Sequence, residues 1–142
     1  EGKVDDARRA YEQALAINPD HIERLKGMCN IVAYQGNMAL ADELFARIPA
    51  DEPIHPNILI TMAMGHFNQG DTETAKALLD RAVRDAPQDA LSHYYRGLTE
   101  LSLGDNDAAR ADLARSLELD PNHREAANAR EFVGQLGGGS GP

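Results

Sequence analysis

The stretch Gly70-Asp71-Thr72-Glu73-Thr74-Ala75-Lys76-Ala77-Leu78-Leu79 decides the fold of this chain. It places an alanine five positions after a glycine, and a large apolar residue four positions after that alanine. The same outline stands at three other places: Gly2/Ala7/Tyr11, Gly36/Ala41/Phe45 and Gly104/Ala109/Leu113. Successive copies begin 34 residues apart, so the 142-residue chain is built from an internal repeat.

Prolines keep the same period. They recur at Pro19, Pro53, Pro87 and Pro121. Because average proteins contain about 5% proline and 7% glycine, three successive matches in both columns arise by chance with a probability on the order of 10⁻⁷. The repeat is therefore a property of the fold and not a coincidence of composition.

Apolar residues between these markers have helical spacing. Leu25, Met28 and Val32, for example, are separated by three and four residues. The glycine of each repeat ends a first helix, because glycine adopts the left-handed conformation at no steric cost. The residue that follows can accept hydrogen bonds at the start of a second helix, as Asp71 does after Gly70. Each repeat is thus predicted to be a pair of helices, and each proline to mark the passage to the next pair.

These signals divide the chain into consecutive segments. We expect a half repeat at 1–21, whole repeats at 22–55, 56–89 and 90–123, a C-terminal helix at 124–136 and a flexible Gly/Ser-rich tail or linker at 137–142. Because the first segment opens in the second helix of a repeat, the apolar face of that helix should be partly uncovered. The pattern suggests a fragment of a longer array, and a second copy packed on that end is the competing explanation.

One junction departs from the pattern. Pro49, Pro53 and Pro56 crowd the end of the first whole repeat, so its second helix must stop early, near Ile48. The resulting connection should be longer and stiffer than the others. It could change the local twist of the stack or serve as an exposed contact loop, and the sequence leaves both interpretations open.

The period and its motif resemble the tetratricopeptide repeat family over nearly the whole chain, from Gly2 to about Leu136. This resemblance implies an all-α fold, a right-handed α-solenoid of antiparallel helix pairs with about eight helices. The pair Arg96-Gly97 together with Asp112 resembles a common variant of the repeat. There an arginine on the first helix meets an aspartate on the second, so we expect a structural ion pair between Arg96 and Asp112.

Composition and motifs exclude several functions. A net charge of −9 would repel a phosphate backbone and an anionic membrane. No apolar run approaches the roughly 18 residues that span a bilayer. No catalytic constellation and no phosphate-binding glycine loop is present, so we expect neither enzymatic activity nor a cofactor. The single cysteine, Cys29, should be a small buried apolar residue, and it leaves the cytoplasm and the periplasm equally open.

Histidines invite a metal hypothesis, because His21, His55 and His123 occupy the same place in their repeats. Equivalent places lie one repeat apart, whereas a zinc ion needs three or four ligands within about 2.0–2.3 Å. We therefore expect polar turn residues and no metal site. His66 and His93, on first helices, are expected at the edge of the core.

In the resembled family, the first helices line a concave groove that holds a peptide or partner helix. The resemblance assigns to this groove Lys26, Asn30, Tyr34, Asn57, Thr61, Met64, Asn68, Leu91, Tyr94, Tyr95 and Leu98. Tyrosine and methionine suit recognition surfaces, so Tyr94, Tyr95, Met64 and Leu98 are expected to be exposed in the groove and to supply its apolar contacts. For Ile60, Phe67 and Leu101 the groove and the core remain open alternatives.

Some members of this family grip the C-terminal carboxylates of heat-shock chaperones with Lys and Asn on one first helix, Asn on the next, and Lys and Arg on the third. Lys26 and Asn30 match the first pair, but Thr61, Leu91 and Tyr95 hold the other places. Binding of a heat-shock chaperone tail is therefore not expected. Lys26 with Asn30 could still hold a single carboxylate or a backbone carbonyl.

The predicted function is a non-enzymatic module that binds a protein or peptide partner in its groove. Two alternatives stay open. The chain could be a self-assembling scaffold that forms a homo-oligomer through its half-repeat end, or a regulatory segment of a larger enzyme or cell-envelope assembly factor.

Overall fold

Helices follow one another along the chain, and each packs against the helix before it and the helix after it. The computed structural model describes residues 2–138, apart from the side chain of Val4. Eight helices occupy these residues: α1 (Gly2–Ile17), α2 (Ile22–Tyr34), α3 (Met38–Phe45), α4 (Pro56–Asn68), α5 (Thr72–Asp85), α6 (Ala90–Ser102), α7 (Asn106–Leu119) and α8 (Ala126–Gly138). In addition, α4 contacts both α2 and α6, so the first helices of the three repeats form a continuous layer. The result is an all-α solenoid of antiparallel helix pairs.

The predicted segments can be compared with these bounds. The three ranges 22–55, 56–89 and 90–123 each hold one helix pair, and α1 lies in the range 1–21. The last helix differs from its predicted range, since α8 begins at Ala126 and ends at Gly138. Gly137 and Gly138 are therefore helical, although the sequence assigned them to the tail. Residues 139–142 of that tail lie outside the described residues.

The turn inside each repeat has the chemistry that the sequence predicted. Its glycine has a positive φ of 86° at Gly36, 84° at Gly70 and 84° at Gly104. A side chain of another type would be strained in this conformation. The next residue caps the second helix: Asp71 Oδ1, for example, accepts a hydrogen bond from the backbone N–H of Thr74 at 3.2 Å.

Histidine caps the beginning of two first helices. His21 Nδ1 accepts a hydrogen bond from the N–H of Arg24 at 3.4 Å, and His55 Nδ1 accepts one from the N–H of Asn57 at 3.1 Å. His123 Nδ1 accepts in the same way from the N–H of Glu125, just before α8. The repeated histidines therefore accept hydrogen bonds from backbone N–H groups that have no partner within the helix, which accounts for their shared position.

Paired helices approach closely where the repeat keeps small residues. Ala41, Ala75 and Ala109 are fully buried. At Gly97 on α6, an added Cβ would stand 2.8 Å from Leu113 Cγ and 3.2 Å from the backbone oxygen of Ala109. This glycine thus sets the distance between α6 and α7.

The second helix of the first repeat stops early, as the prolines predicted. α3 has 8 residues, whereas α5 and α7 each have 14. The connection that follows is nevertheless held in place, because Ile48 and Ile54 are buried in the core. Arg81 on α5 also donates a hydrogen bond to the backbone oxygen of Glu52 at 2.9 Å.

A buried cluster of charges joins α6 to α7. Arg96 Nε donates to Asp112 Oδ2 at 2.5 Å, and Arg96 Nη2 donates to Asp112 Oδ1 at 2.9 Å. The structure thus contains the expected ion pair in a two-point geometry. His93 Nδ1 lies 3.0 Å from Asp112 Oδ1, and its Nε2 lies 3.0 Å from the backbone oxygen of Pro87.

Glu100 is the strained member of this cluster. The residue is 5% exposed, and its Oε2 has no hydrogen-bond partner. Burial and the nearby charge of Asp112 raise the pKa of Glu100 from 4.5 to about 7. The hydrogen bond to Asp112 raises the pKa of His93, while burial works against it. Burial alone would raise the pKa of Asp112, but hydrogen bonds with His93 and Arg96 outweigh it and lower this pKa.

Replacing Gly97 by alanine should destabilise the fold, because the new methyl group would overlap Leu113. Overpacking of this kind costs about 1–3 kcal/mol. Gly134 on α8 is the matched control, since an added Cβ there meets nothing within 4 Å. We expect Gly97→Ala to lower the melting temperature and Gly134→Ala to leave it unchanged or raise it. Equal melting temperatures for Gly97→Ala and the wild type, measured by circular dichroism, would contradict the close approach.

The stabilisation that Glu100 and His93 contribute should fall as the pH rises from about 5 to about 8, whereas His123, whose pKa burial lowers, acts in the opposite direction. A carboxyl whose folded pKa is raised stabilises the fold fully below its unfolded value, and loses that contribution as the pH rises through its folded value. Glu100 and His93 both act in this direction. Asp112, whose folded pKa is lowered, causes a separate loss in strong acid. Glu100→Gln should therefore flatten the decline in melting temperature between these two pH values by roughly 3–6 °C.

Exposed Glu43, for which the same substitution removes the same charge, serves as the control for this prediction. Glu43→Gln should keep the wild-type pH profile. A Glu100→Gln profile that runs parallel to the wild type would show that Glu100 titrates in the folded protein as it does in the unfolded chain.

Candidate functional site

An open trough lies on the layer formed by the first helices of the three repeats. Its cavity volume is about 360 Å³. Residues of α2, α4 and α6 supply most of its wall, and Gly36, Gln69 and Arg124 from three turns complete it. The resemblance to the repeat family places the groove on this same layer of helices.

Five residues of the predicted groove meet around this trough: Tyr34, Thr61, Met64, Asn68 and Tyr95. Tyr34 ends α2 and is 79% exposed, which is unusual for a large aromatic side chain. Met64 and Tyr95 are half-buried and pack against the apolar cluster of Ile60 and Leu79. The trough therefore has an apolar floor that is held by the core, and the large aromatic side chain of Tyr34 is exposed at one edge.

Ile60 is buried and also lines the trough. The sequence left this residue between core and groove, and the structure gives it both roles. Thr61 Oγ1 donates to the backbone oxygen of Asn57 at 2.8 Å, so its hydroxyl is already used within α4. Asn68 is exposed at the end of that helix and keeps its amide available.

Tyr94 does not face the trough, and the expectation that its ring is exposed is wrong. Its ring is 3% exposed and belongs to a core cluster with Leu113 and Ala129. Burial raises the pKa of Tyr94 to about 12. The physical reason is that α8 packs against α7 and covers the side of α6 on which Tyr94 lies. Tyr94 contacts Tyr95 edge to face, with 5.0 Å between ring centroids, and so supports the neighbouring residue that does line the trough.

Other predicted groove residues lie outside the trough. Leu91 and Leu98 are half-buried and pack against the core clusters of Leu79 and Leu113, respectively. Asn57 is exposed at the start of α4, where its N–H is bound by His55. None of these three residues lines the trough wall.

Lys26 and Asn30, which the sequence suggested as a carboxylate holder, also lie outside the trough wall. Lys26 Nζ donates to Glu52 Oε1 at 2.7 Å and to Glu23 Oε1 at 3.0 Å. The hydrogen bond with Glu52 raises the pKa of Lys26, although burial opposes the shift. A ligand carboxylate would have to displace two carboxylates of the chain itself. Asn30 Oδ1 is buried without a partner, and this atom is an acceptor that cannot bind a carboxylate.

Arg124 is the charged trough residue that the sequence analysis missed. It follows His123 in the turn between α7 and α8, and it lines the trough together with Tyr95. Its position in the repeat equals that of Ile22, Pro56 and Ala90, none of which is charged. The sequence therefore held a clue, because a cation stands where the other repeats have apolar residues. Whether this cation reaches the trough depends on how successive helix pairs stack, which the sequence alone does not give.

Groups capable of catalysis are tied up in structural contacts. Cys29 is fully buried, and burial raises the pKa of its thiol to about 12. His66 is buried, with Nε2 2.8 Å from Asp42 Oδ1. Within residues 2–138, no three His, Cys, Asp or Glu side chains are grouped so that they could hold a metal ion. No described helix is long and apolar enough to cross a membrane.

A stack of antiparallel helix pairs with a 34-residue period and an open trough on its first helices defines an α-helical repeat protein. The chain belongs to the tetratricopeptide repeat family. Models of that family match residues 1–53 and residues 60–132.

Known proteins with similar sequence or structure support this assignment. Cellulose synthase operon protein C of Xanthomonas axonopodis pv. citri (strain 306) is 26% identical over 140 residues, which is 93% of this chain and 9% of that protein. The crystal structure of MamA matches with a TM-score of 0.84 at 22% identity and covers 97% of this chain and 79% of that one. The first tetratricopeptide domain of Spaghetti (RPAP3), bound to the HSP90 peptide SRMEEVD, matches with a TM-score of 0.67 at 25% identity and covers 80% and 93%. The chain thus spans a small part of its curated relative, whereas it spans most of each structural one.

Cys29 should resist modification while the protein is folded. Its sulfur is fully buried and lies 3.7 Å from the backbone oxygen of Ala41, and only a thiolate reacts quickly with alkylating agents. We expect iodoacetamide to label Cys29 in guanidinium chloride and not in native buffer, as measured by intact mass. Rapid labelling in native buffer would contradict the burial of α2 against α3.

Proposed function

We propose that this chain is a non-enzymatic protein-interaction module that binds a peptide or helix of a partner protein in the trough on α2, α4 and α6. The observation that carries this proposal is the exposed ring of Tyr34 above a floor formed by Met64 and Tyr95. Aromatic and methionine side chains are enriched at recognition surfaces, because they provide large contact areas at low conformational cost. Most groups that could perform chemistry are used for packing and capping, which supports binding over catalysis.

The structural relative with a bound peptide supports the mode of binding. The tetratricopeptide domain of Spaghetti (RPAP3) is bound to the HSP90 peptide SRMEEVD. For this chain we propose a different ligand. Leu91 and Tyr95 stand where the chaperone-binding members carry Lys and Arg, and Lys26 is neutralised by Glu23 and Glu52. A doubly charged chaperone tail would therefore lack its charge-assisted hydrogen bonds.

A self-assembling scaffold is the second candidate, and one observation favours it. Ile17 at the end of α1 is 88% exposed, so an apolar side chain is available for a second copy. Two other large apolar side chains of that helix are better covered, since Tyr11 is half-buried and Leu15 is buried. Tyr11 packs so closely over Gly27 that an added Cβ there would stand 2.6 Å from Tyr11 Cζ. We therefore rank partner binding above self-association.

Removing the exposed trough side chains should abolish partner binding without unfolding the chain. Tyr34→Ala combined with Asn68→Ala truncates two exposed residues of the trough. Ile17→Ala is the matched control, because it truncates an equally exposed apolar residue on a different surface. We expect affinity capture from the source lysate to recover a partner with the wild type and with Ile17→Ala, and to lose it with the double variant.

Circular dichroism first establishes that all three proteins are folded. Equal capture of the same partner by all of them would contradict a site in the trough. If no partner is captured and sedimentation equilibrium shows a concentration-dependent oligomer that Ile17→Ala dissociates, the scaffold function replaces the proposed one.

A further inference from the structure

The trough carries an unbalanced charge. Among the described residues that line it, Arg124 is the one charged side chain, although the chain as a whole has a net charge of −9. Arg124 is exposed, and it makes no hydrogen bond or ion pair with any residue between 2 and 138. A guanidinium presents five donors in a planar fork that matches a carboxylate. This fork is therefore free for a group that comes from outside the chain.

Three other cations of the chain are already bound by groups of the chain itself. Lys26 is bound by Glu23 and Glu52, and Arg96 is bound by Asp112. Arg81 donates to the backbone oxygen of Glu52 and lies over the ring of Phe45. Arg124 differs from these residues because it lines the trough and forms no ion pair with a carboxylate of residues 2–138, although Asp89 and Asp120 line a neighbouring cavity with it.

Apolar groups stand next to this cation in the same cavity. Met64 and Tyr95 are half-buried and held by the core, and Ile60 lies beneath them. The cavity volume of about 360 Å³ is sufficient for one or two large side chains of a bound segment. A ligand that satisfies both features must bring apolar surface and negative charge together.

We propose that the trough recognises an acidic, apolar segment of another protein, in which a large aliphatic or aromatic residue lies next to an Asp or Glu side chain. The apolar residue would enter the cavity between Met64 and Tyr95, and the carboxylate would pair with the guanidinium of Arg124. This inference rests on the proposed function and adds the chemical class of the partner. It uses one cation in the turn before α8, and it does not use Lys26 or Asn30.

Charge complementarity at the site has to overcome repulsion by the rest of the chain. The Debye length is about 8 Å at physiological ionic strength, so distant carboxylates of the chain are largely screened while a contact pair is screened less. At low salt this screening weakens, so repulsion by the net negative charge of the chain should slow the association of an acidic segment. Once bound, it is retained by a two-point hydrogen bond and by burial of its apolar residue.

Selection from a random peptide library tests the proposal with a charge swap. The 142-residue chain and its Arg124→Glu variant are immobilised, and 12-residue peptides displayed on phage are selected on each. We expect the wild type to enrich peptides with Asp or Glu next to Leu, Met, Phe or Trp. Arg124→Glu should enrich peptides with the same apolar residues next to Lys or Arg.

The outcomes separate this inference from the proposed function. Peptides that require Tyr34 and Asn68, but show no enrichment of acidic residues, would overturn the acidic partner and leave the binding module standing. Selection of no peptide by the folded wild type would overturn the proposed function as well. An acidic enrichment that persists with Arg124→Glu would assign the carboxylate to another residue and overturn the role of Arg124.

A double-mutant cycle then checks the contact itself. A selected peptide and its version with the acidic residue replaced by the matching amide are titrated by fluorescence polarisation. We expect Arg124→Gln and the peptide substitution each to weaken binding by about 5- to 50-fold, and the two together to weaken it little further. Arg9→Gln, which removes an exposed arginine on α1, is the matched control and should leave the affinity unchanged. A combined loss of affinity equal to the product of the two single losses would show that Arg124 and the carboxylate do not interact.

Discussion

The rest of the structure depends on the close approach of the two helices in each repeat. Ala41, Ala75 and Ala109 leave room for the partner helix, and Gly97 brings α6 against Leu113 with no space for a methyl group. Since the distance between helices is fixed at these contacts, the first helices must lie side by side in one layer. The trough lies on that layer, so its dimensions follow from helix contacts that lie behind it.

Charged and irregular parts of the chain fit around this frame. The ion cluster of Arg96, Asp112, His93 and Glu100 spans α6 and α7, where a purely apolar interface would have been sufficient for stability. The proline-rich connection is held by Ile48, Ile54 and Arg81, so the short α3 does not leave a loose segment. In both arrangements, charged side chains form contacts within the chain and are therefore not available to bind a partner.

Much of the fold could be predicted from the sequence, because each repeat carries residues that identify its turn and its helix cap. Gly70 and Asp71 identify a turn by themselves, and Pro49 indicates the early end of α3. The site was harder to predict. Tyr94 has the same helical register as a groove residue, and only the packing of α8 decides that it is buried. Lys26 is neutralised by Glu52 from an irregular connection, and Arg124 reaches the trough across a repeat boundary, so neither contact follows from periodicity.

Packing between neighbours along the chain also makes the two ends of the stack unequal. α1 contacts α2 through Tyr11 and contributes nothing to the trough wall, so fraying of α1 would leave the binding surface whole. At the other end, α8 covers Tyr94 and fixes the turn that carries Arg124. Opening of α8 would remove the cation and unseat the ring that supports Tyr95. Local unfolding at the carboxyl end would therefore act on ligand affinity, whereas the same event at the amino end would be silent.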